Sequence, residues 1–298
     1  MKTKLIVSLI LVVLFAISII MIGGCGSTST SYFYYYPDWT PDGRILATKS
    51  TRVTSSGSGM FGGSGQTVTS TYSLVIMDDD GTNETEIKGI GNGGRTAASP
   101  LGNYYAYTVI GTNYIYVVDT SGTQISQIDC GGEILSLDWA PDETKLIYLI
   151  KQSDTYNSYA VDIGGSSSTI VASDLALSNV AWRKGNKILC YGDIGSDWGL
   201  RVLSDDGYSA IISNANAKGD DINVLQTNTS EAVYRWAGIY KINITSSTAS
   251  PELLIDRNDL WNIKVSPSGQ KIIATGDNAS GSEIWIINID GTGLTQLK

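Results

Sequence analysis

From residue 32 onward, short runs of apolar residues alternate with polar segments rich in Gly, Ser, Asn and Asp. The apolar runs favour β-branched and aromatic side chains, which pack well on pleated strands, whereas the polar residues are typical of tight turns. The clearest example begins at Asp38 and reads "DWTPDGRILATKS". Its Thr-Pro-Asp-Gly sequence predicts a turn, because Pro fixes φ at the first central position and Gly tolerates a left-handed exit. The pattern therefore predicts successive β-hairpins.

This pattern recurs six times along the chain. One position in each copy, which we call the anchor, is occupied in turn by Trp39, Ala98, Trp139, Trp182, Leu225 and Val265. Successive anchors lie 59, 41, 43, 43 and 40 residues apart, and the long first interval contains a Gly-, Ser- and Thr-rich insertion from Ser50 to Thr71. Each copy holds four predicted strands. Because a single blade cannot bury both of its faces, the six copies predict an all-β, six-bladed β-propeller of four-stranded antiparallel blades.

The repeat also predicts details of the propeller. The anchor Trp residues are expected in the seams between blades, where a large ring fills space. Asp-Gly pairs at residues 80–81, 206–207 and 290–291 predict hairpin turns. The last copy contains its own fourth strand, within residues 293–298, although residues 28–33 could still add to a sheet edge. The insertion at residues 50–71 is expected to be a mobile loop or an extended hairpin, and it is a candidate contact surface.

The first 24 residues differ from the rest of the chain. Lys2 and Lys4 precede an apolar run over residues 5–22, which is long enough for a short transmembrane helix and is also typical of a signal peptide. The run leads into Ile22-Gly23-Gly24-Cys25, which resembles the lipobox of bacterial lipoproteins. This resemblance implies a signal peptide over residues 1–24, a lipid on Cys25 and a flexible linker over residues 25–31. The alternative is an uncleaved membrane anchor. In both cases residues 32–298 lie outside the cytoplasm, at a membrane surface.

The repeat resembles that of the TolB-like (WD40-like) β-propeller family, whose units begin with Trp-Ser-Pro-Asp-Gly and later carry Asp-Gly. The resemblance covers residues 32–298. It is clearest in the first, third and sixth copies and weakest in the fourth and fifth, which lack the Pro. It implies a TolB-like propeller on the periplasmic or cell-surface side of the membrane, and the extra N-terminal domain of TolB is not expected.

Composition narrows the possible chemistry. The chain contains no histidine, which excludes a Ser-His-Asp triad, a Cys-His pair and His-ligated zinc. The net charge of −9 argues against a nucleic-acid partner, because phosphate backbones attract basic surfaces. Cys130 and Cys190 occupy non-equivalent positions of different copies, so two buried thiols are expected, although an oxidising compartment would permit a disulfide.

Three kinds of stretch carry candidate chemistry, and each has a structural alternative. Gly-rich runs at residues 57–62 and 89–94 match the spacing of a dinucleotide-binding loop, but neither precedes a predicted helix, so loops are expected. The acidic stretch from Asp78 to Glu86 offers oxygens to Ca²⁺, yet its spacing departs from an EF-hand and favours a turn. Tyrosines at residues 32–36 and in the second copy are candidate sugar-stacking surfaces, with packing between blades as the favoured interpretation.

These observations favour a non-catalytic, lipid-anchored, extracytoplasmic propeller that binds another protein or an envelope component. We expect a monomeric propeller with no catalytic residue, no cofactor and no metal. One alternative is a carbohydrate- or peptide-binding module, which exposed aromatics at the central channel would support. Another is a hydrolase or lyase, which three or more carboxylates at the channel mouth, or a bound cation, would support.

Overall fold

Regular structure in the described part of the chain consists of β-strands alone. The computed structural model describes residues 27–58, 64–152, 155–165, 168–172, 176–183, 187–193, 198–204, 210–214, 221–225, 230–278 and 281–298. Cys25, the predicted signal peptide and the predicted turn at residues 206–207 lie outside these ranges. Among the described residues, no helix is long and apolar enough to cross a membrane.

The strands form six four-stranded antiparallel blades in a propeller arrangement, which confirms the predicted fold. Blade 1 contains β1 (Ser27–Trp39), β2 (Ile45–Ser58), β3 (Ser64–Met77) and β4 (Thr85–Ile90). Blade 2 contains β5 (Gly93–Ala98), β6 (Tyr104–Val109), β7 (Tyr114–Asp119) and β8 (Gln124–Asp129). Blade 3 contains β9 (Glu133–Trp139), β10 (Lys145–Gln152), β11 (Thr155–Asp162) and β12 (Ser168–Ala172).

The second half of the chain repeats this order. Blade 4 contains β13 (Ala176–Arg183), β14 (Lys187–Asp193), β15 (Trp198–Ser204) and β16 (Ala210–Asn214). Blade 5 contains β17 (Asp221–Val224), β18 (Glu231–Arg235), β19 (Ile239–Asn243) and β20 (Glu252–Ile255). Blade 6 contains β21 (Leu260–Val265), β22 (Lys271–Asn278), β23 (Gly281–Asn288) and β24 (Thr295–Gln296), so it supplies its own fourth strand, as predicted.

The chain divides into two compact units. The propeller unit comprises residues 33–50 and 71–298, and the second unit, which we call the hairpin unit, comprises residues 1–32 and 51–70. Within the hairpin unit, residues 51–58 belong to β2 and residues 64–70 to β3, so the insertion is an extended hairpin, one of its two predicted forms. Residues 27–31 differ from the predicted flexible linker, because they lie in β1, where Ser27 Oγ is 2.7 Å from Ser56 Oγ.

Six hydrophobic clusters occupy the six seams of the propeller unit. Each cluster combines buried side chains of two neighbouring blades. Trp139, for example, packs with Ala97 and Ile115 of blade 2, and Trp39 packs with Ile273 of blade 6. Trp39, Trp139 and Trp182 are all buried, so the prediction that the anchor rings fill the seams is confirmed. Because burial of apolar surface drives folding, a blade is stable only beside its neighbours.

In blade 5 the anchor is one residue earlier than predicted. The residue after the anchor donates its backbone N–H across the first turn of the blade, as Thr40 does to the carbonyl of Arg44 in blade 1. In blade 5 the donor is Leu225, which bonds to the carbonyl of Glu231. Leu225 therefore follows the anchor, and Val224 is the anchor itself. The prediction failed here because blade 5 lacks both the Trp and the Pro that fix the alignment elsewhere.

The seam that joins blade 6 to blade 1 is held by the acidic stretch. Glu84 accepts hydrogen bonds from the hydroxyl of Tyr34 at 2.7 Å and from Nζ of Lys49 at 2.5 Å, and Lys298 lies 3.6 Å from its Oε2. Nζ of Lys271 donates to Asp79 at 2.5 Å across the same seam. Although burial opposes its charge, the bonds from Lys49 and Tyr34 hold the pKa of Glu84 below its usual value. These carboxylates therefore link the first and last blades.

Candidate functional site

The first strand of each blade sends one side chain into the central channel, three residues before the anchor. These six residues, which we call the polar ring, are Tyr36, Arg95, Ser136, Asn179, Asp221 and Asn262. Several contact one another: the Arg95 guanidinium lies 5.2 Å from the centre of the Tyr36 ring, and Asn179 Nδ2 donates to Asp221 Oδ1 at 3.1 Å. The cavity that they line measures about 30 Å³, enough for a water molecule. This cavity is therefore too small for a larger ligand.

The residue just before the anchor connects neighbouring blades. In blades 1, 3 and 5 this residue carries a side-chain oxygen that accepts the backbone N–H of the next blade's anchor; we call these bonds latches. They run from Ala98 N to Asp38 Oδ2 (2.9 Å), from Trp182 N to Asp138 Oδ2 (2.7 Å) and from Val265 N to Asn223 Oδ1 (3.0 Å). Each latch satisfies a backbone donor that the strand leaves unpaired beside the channel.

In two of the remaining seams the side chain is the donor and the backbone is the acceptor. The indole N–H of Trp139 donates to the carbonyl of Ala97 at 3.0 Å, and that of Trp39 donates to the carbonyl of Lys264 at 3.2 Å. Acceptor side chains and indole donors therefore alternate around these seams. The indole N–H of Trp182 is buried without a hydrogen-bond partner among the described residues. Trp182 thus makes its latch through its backbone N–H, while its ring packs in the seam.

Lys264 interrupts the series of latch acceptors. It precedes the anchor of blade 6, at the position where blades 1 and 3 carry Asp38 and Asp138. Its Nζ lies 3.9 Å from Asp138 Oδ1, and among the described residues it makes no hydrogen bond. The side chains of Lys264 and Asp138 are each 19% exposed, toward the cavity above the ring. An ammonium in such a site carries three donors that need acceptors.

The charges at this point are coupled. Burial raises the pKa of Asp38, with a further contribution from Asp138, although the Lys264 ammonium and two backbone N–H donors oppose that change. Burial lowers the pKa of Lys264, but the nearby carboxylates of Asp38, Asp138 and Asp221 outweigh it, so the pKa of Lys264 is raised. Lys264 therefore remains cationic and serves as the counter-ion of the latch carboxylates.

Above these residues the channel widens into a cavity of about 320 Å³. Its floor is formed by the latch residues and its rim by prolines that lie two residues after the anchors of four blades: Pro41, Pro100, Pro141 and Pro267. The volume falls at the lower end of the range of small-ligand pockets. We call this cavity the mouth. It can hold a few residues of an extended chain, or a small molecule.

Glu143 fixes one part of the rim. The equivalent position in three other blades is a Gly with positive φ, and Glu143 adopts φ of 59° there, a conformation that costs a non-Gly residue free energy. The compensation lies in its carboxylate, which accepts the N–H of Leu101 at 2.6 Å and the amide of Asn103 at 2.8 Å. These bonds hold the turn of blade 2, where the side chain of Leu101 is 63% exposed beside Pro100.

The other candidates from the sequence are not brought to the mouth. The acidic stretch forms a turn, and Asp78 and Asp80 accept bonds from Asn83 and Thr82 within it. No cluster of metal-ligating side chains occurs among the residues that the structure describes. Cys130 and Cys190 are buried free thiols, as predicted, and burial raises the pKa of each to about 12.

Most of the aromatic candidates pack internally, whereas Tyr32 is exposed. Tyr34 is buried, and the rings of Tyr107 and Tyr116 stack at 5.1 Å in blade 2. Tyr36 is the channel-facing member of its run. Its ring contacts the ring of Trp261 edge to face. Sequence reasoning missed Asp38, Asp138 and Lys264, although the Asp-Trp pairs at residues 38–39 and 138–139 are a repeated signal.

Comparison with known proteins supports the fold. No family model matches the sequence, and no curated protein matches it. Among solved structures, TolB from Acinetobacter baumannii is similar, with a TM-score of 0.58 and 13% identity over 89% of this chain and 78% of that chain. The β-propeller domain of Cps50 (Swd1) from Myceliophteria thermophila gives a TM-score of 0.58 at 13% identity, over 90% of this chain and 86% of that domain.

A third similar structure comes from a protease. The β-propeller domain of the Trilobed protease from Pyrococcus furiosus gives a TM-score of 0.51 at 13% identity, over 89% of this chain and 82% of that chain. At 13% identity these likenesses show the fold alone, a β-propeller. Because one fold hosts many functions, the function has to be argued from the site.

Removal of the Lys264 charge should destabilise the propeller in a pH-dependent way. The Lys264→Met variant leaves the buried carboxylate of Asp38 and the half-buried carboxylate of Asp138 without their cation, so we expect a loss of about 3 kcal/mol in the free energy of unfolding at pH 7. The pKa of Asp38 is already raised in the folded protein, so protonation of this carboxyl favours folding. The loss should therefore shrink as the pH falls through the raised pKa of Asp38 in the folded protein.

Urea-induced unfolding, followed at several values from about pH 4 to about pH 8, measures this loss. The matched control combines Lys264→Met with Asp138→Asn, which removes one charge of each sign and keeps an acceptor for Trp182 N. This double variant should recover part of the lost stability. A loss that is independent of pH, or a double variant less stable than Lys264→Met, would contradict the assignment of Lys264 as counter-ion.

Proposed function

We propose that the protein is a non-catalytic, extracytoplasmic scaffold that binds an extended polypeptide segment of a partner at the mouth. The observation that carries this proposal is the Lys264 ammonium, which makes no hydrogen bond among the described residues and borders a cavity of about 320 Å³. Propellers offer such a channel opening as a rigid surface for partners. The charges and the shape of the mouth support this class of ligand.

The charge balance indicates what the ammonium accepts as a partner. Asp38 and Asp138 together exceed the single charge of Lys264, so a further carboxylate or phosphate would meet repulsion. A neutral acceptor meets none, and the commonest neutral acceptor in a polypeptide is the backbone carbonyl. The rim prolines, of which Pro41 and Pro100 are exposed, and the neighbouring Leu101 provide apolar contacts beside it. An extended segment with small or apolar side chains therefore fits both the floor and the rim.

The two alternatives receive less support from the same residues. A hydrolase or lyase would need free carboxylates, yet Asp38 accepts two backbone N–H groups and Asp138 accepts the N–H of Trp182. Carbohydrate binding would need exposed aromatic faces at the mouth, whereas Trp39 and Trp139 are buried in the seams. A polypeptide partner is favoured because it uses backbone groups and apolar contacts, and both find complements here.

We also propose that the propeller is attached to a bacterial membrane through a lipid on Cys25. The support is the sequence Ile22-Gly23-Gly24-Cys25 after an apolar run, together with the likeness of the fold to that of TolB. A tethered scaffold meets partners at the same surface at a raised effective concentration, so a weak peptide interaction suffices.

Site-specific photocrosslinking tests binding at the mouth. A benzophenone amino acid at position 101, in the full chain in membranes, should give a discrete adduct with a polypeptide. The same probe at Ser121, an exposed turn away from the mouth, is the control. In the background of the double change Lys264→Met with Asp138→Asn, the adduct at position 101 should decrease about tenfold, as expected for loss of one charge-assisted hydrogen bond. Equal adducts at both positions, or no dependence on Lys264, would refute the proposal.

The anchor has a separate test. Cys25→Ser should abolish incorporation of radiolabelled palmitate and release the chain from the membrane fraction, because a thioether to diacylglycerol requires the thiol. Retention of Cys25→Ser in the membrane with an intact N-terminus would show instead that residues 5–22 remain as a membrane anchor.

A further inference from the structure

The hairpin unit has an unusual surface composition. Its described residues, 27–32, 51–58 and 64–70, include Arg52 as their one charged side chain. Most of the rest are Ser, Thr or Gly, and residues 27–32 are exposed throughout. The whole chain carries a net charge of −9. Two copies of such an acidic chain repel each other at most surfaces, and the hairpin unit is a surface where this repulsion is weak.

Strand β1 lies at the end of its sheet, with β2 as its one neighbour among the described strands. Natural edge strands are protected by Lys, Pro, bulges or covering segments, because their free N–H and C=O groups otherwise pair with another strand. Residues 27–31 read Ser-Thr-Ser-Thr-Ser and contain neither Lys nor Pro. The strand thus has an accessible edge with none of the usual protective residues.

We propose that two copies of this chain pair through β1 of the hairpin unit, as antiparallel strands related by a two-fold axis at Ser29. In this register Thr28 of one copy lies opposite Thr30 of its partner copy, and Ser27 lies opposite Ser31. The alternation keeps Thr side chains on one face and Ser on the other, so the segment is complementary to itself. Cross-strand Thr pairs stabilise antiparallel sheets. An isologous contact of this kind closes at two copies and does not propagate.

This inference is independent of the mouth and revises the expectation of a monomer drawn from the sequence. A pair of short strands buries less area than a standard interface, so the association should be weak in dilute solution. Disulfide trapping detects weak association, because each encounter in the correct register can be fixed covalently. Of the three cysteines of the chain, Cys130 and Cys190 are buried and do not compete, and Cys25 is changed to Ser in every variant and in the wild-type reference of this test.

The test uses the purified full chain in detergent, at a concentration on the order of 100 µM, which suits association in the micromolar range. Ser29→Cys should form disulfide-linked dimers on mild oxidation at a yield at least about tenfold above that of the wild type, since the two thiols face each other across the axis. Thr69→Cys on β3 and Ser121→Cys on blade 2 are controls of similar exposure. A yield for Ser29→Cys no higher than that of these controls would overturn the proposal.

Charge placement then tests the register. Thr28→Lys combined with Thr30→Lys puts like charges opposite each other and should reduce the Ser29→Cys dimer about tenfold. Thr28→Lys combined with Thr30→Glu puts opposite charges together and should restore it. Equal loss in both variants would show that the strands do not pair in this register and would overturn the inference.

Discussion

At the channel end of the seams, backbone N–H groups face the neighbouring blade and need hydrogen-bond acceptors. In three of the seams the latches supply these acceptors. An oxygen of Asp38, Asp138 or Asn223 accepts the N–H of the next blade's anchor, while indole donors serve two of the other seams. A buried donor without a partner costs about as much as several apolar contacts contribute. The latches therefore account for the side-chain oxygens that blades 1, 3 and 5 carry just before the anchor.

The same interaction creates the site. The carboxylates that accept backbone N–H groups bring negative charge into a narrow channel, and this charge requires a cation nearby. Lys264 supplies it from the one blade whose latch position carries a base. Lys264 balances this charge without donating a hydrogen bond to the described residues, and the proposed function gives its ammonium a backbone carbonyl of the partner as acceptor. In that proposal, the polar ring and the proline rim confine the bound segment to the mouth.

Much of the fold could be predicted from the sequence, because turns and apolar runs are local signals. The six copies, the buried anchor rings and the self-contained last blade all depend on patterns of this kind. The anchor of blade 5 was misplaced by one residue because that blade has neither Trp at the anchor nor Pro two residues after it, and these two residues define the register in other blades. The strand at residues 27–31 was missed because Ser and Thr also suit linkers, and pairing with β2 decides the outcome.

The site was harder to predict for a different reason. Asp38 and Asp138 belong to a visible repeated Asp-Trp pair. Lys264 lies more than 120 residues after Asp138 in the sequence and carries a positive charge at the position where blades 1 and 3 carry a negative one. Their proximity arises from closure of the ring, to which no local pattern points. The role of Glu143 was not predicted either. Its position is a Gly in three other blades and predicts only a turn, not the bonds to Leu101 and Asn103.

The site depends on the charged ammonium of Lys264, which lies beside the buried carboxylate of Asp38 and the half-buried carboxylate of Asp138. Titration of the Asp38 carboxyl carbon and the Lys264 side-chain nitrogen by NMR tests it most directly. The account predicts that Asp38 titrates above its ordinary value of 3.8 and that Lys264 keeps its proton beyond its ordinary value of 10.5. Deprotonation of Lys264 below that value, or titration of Asp38 at or below 3.8, would contradict it.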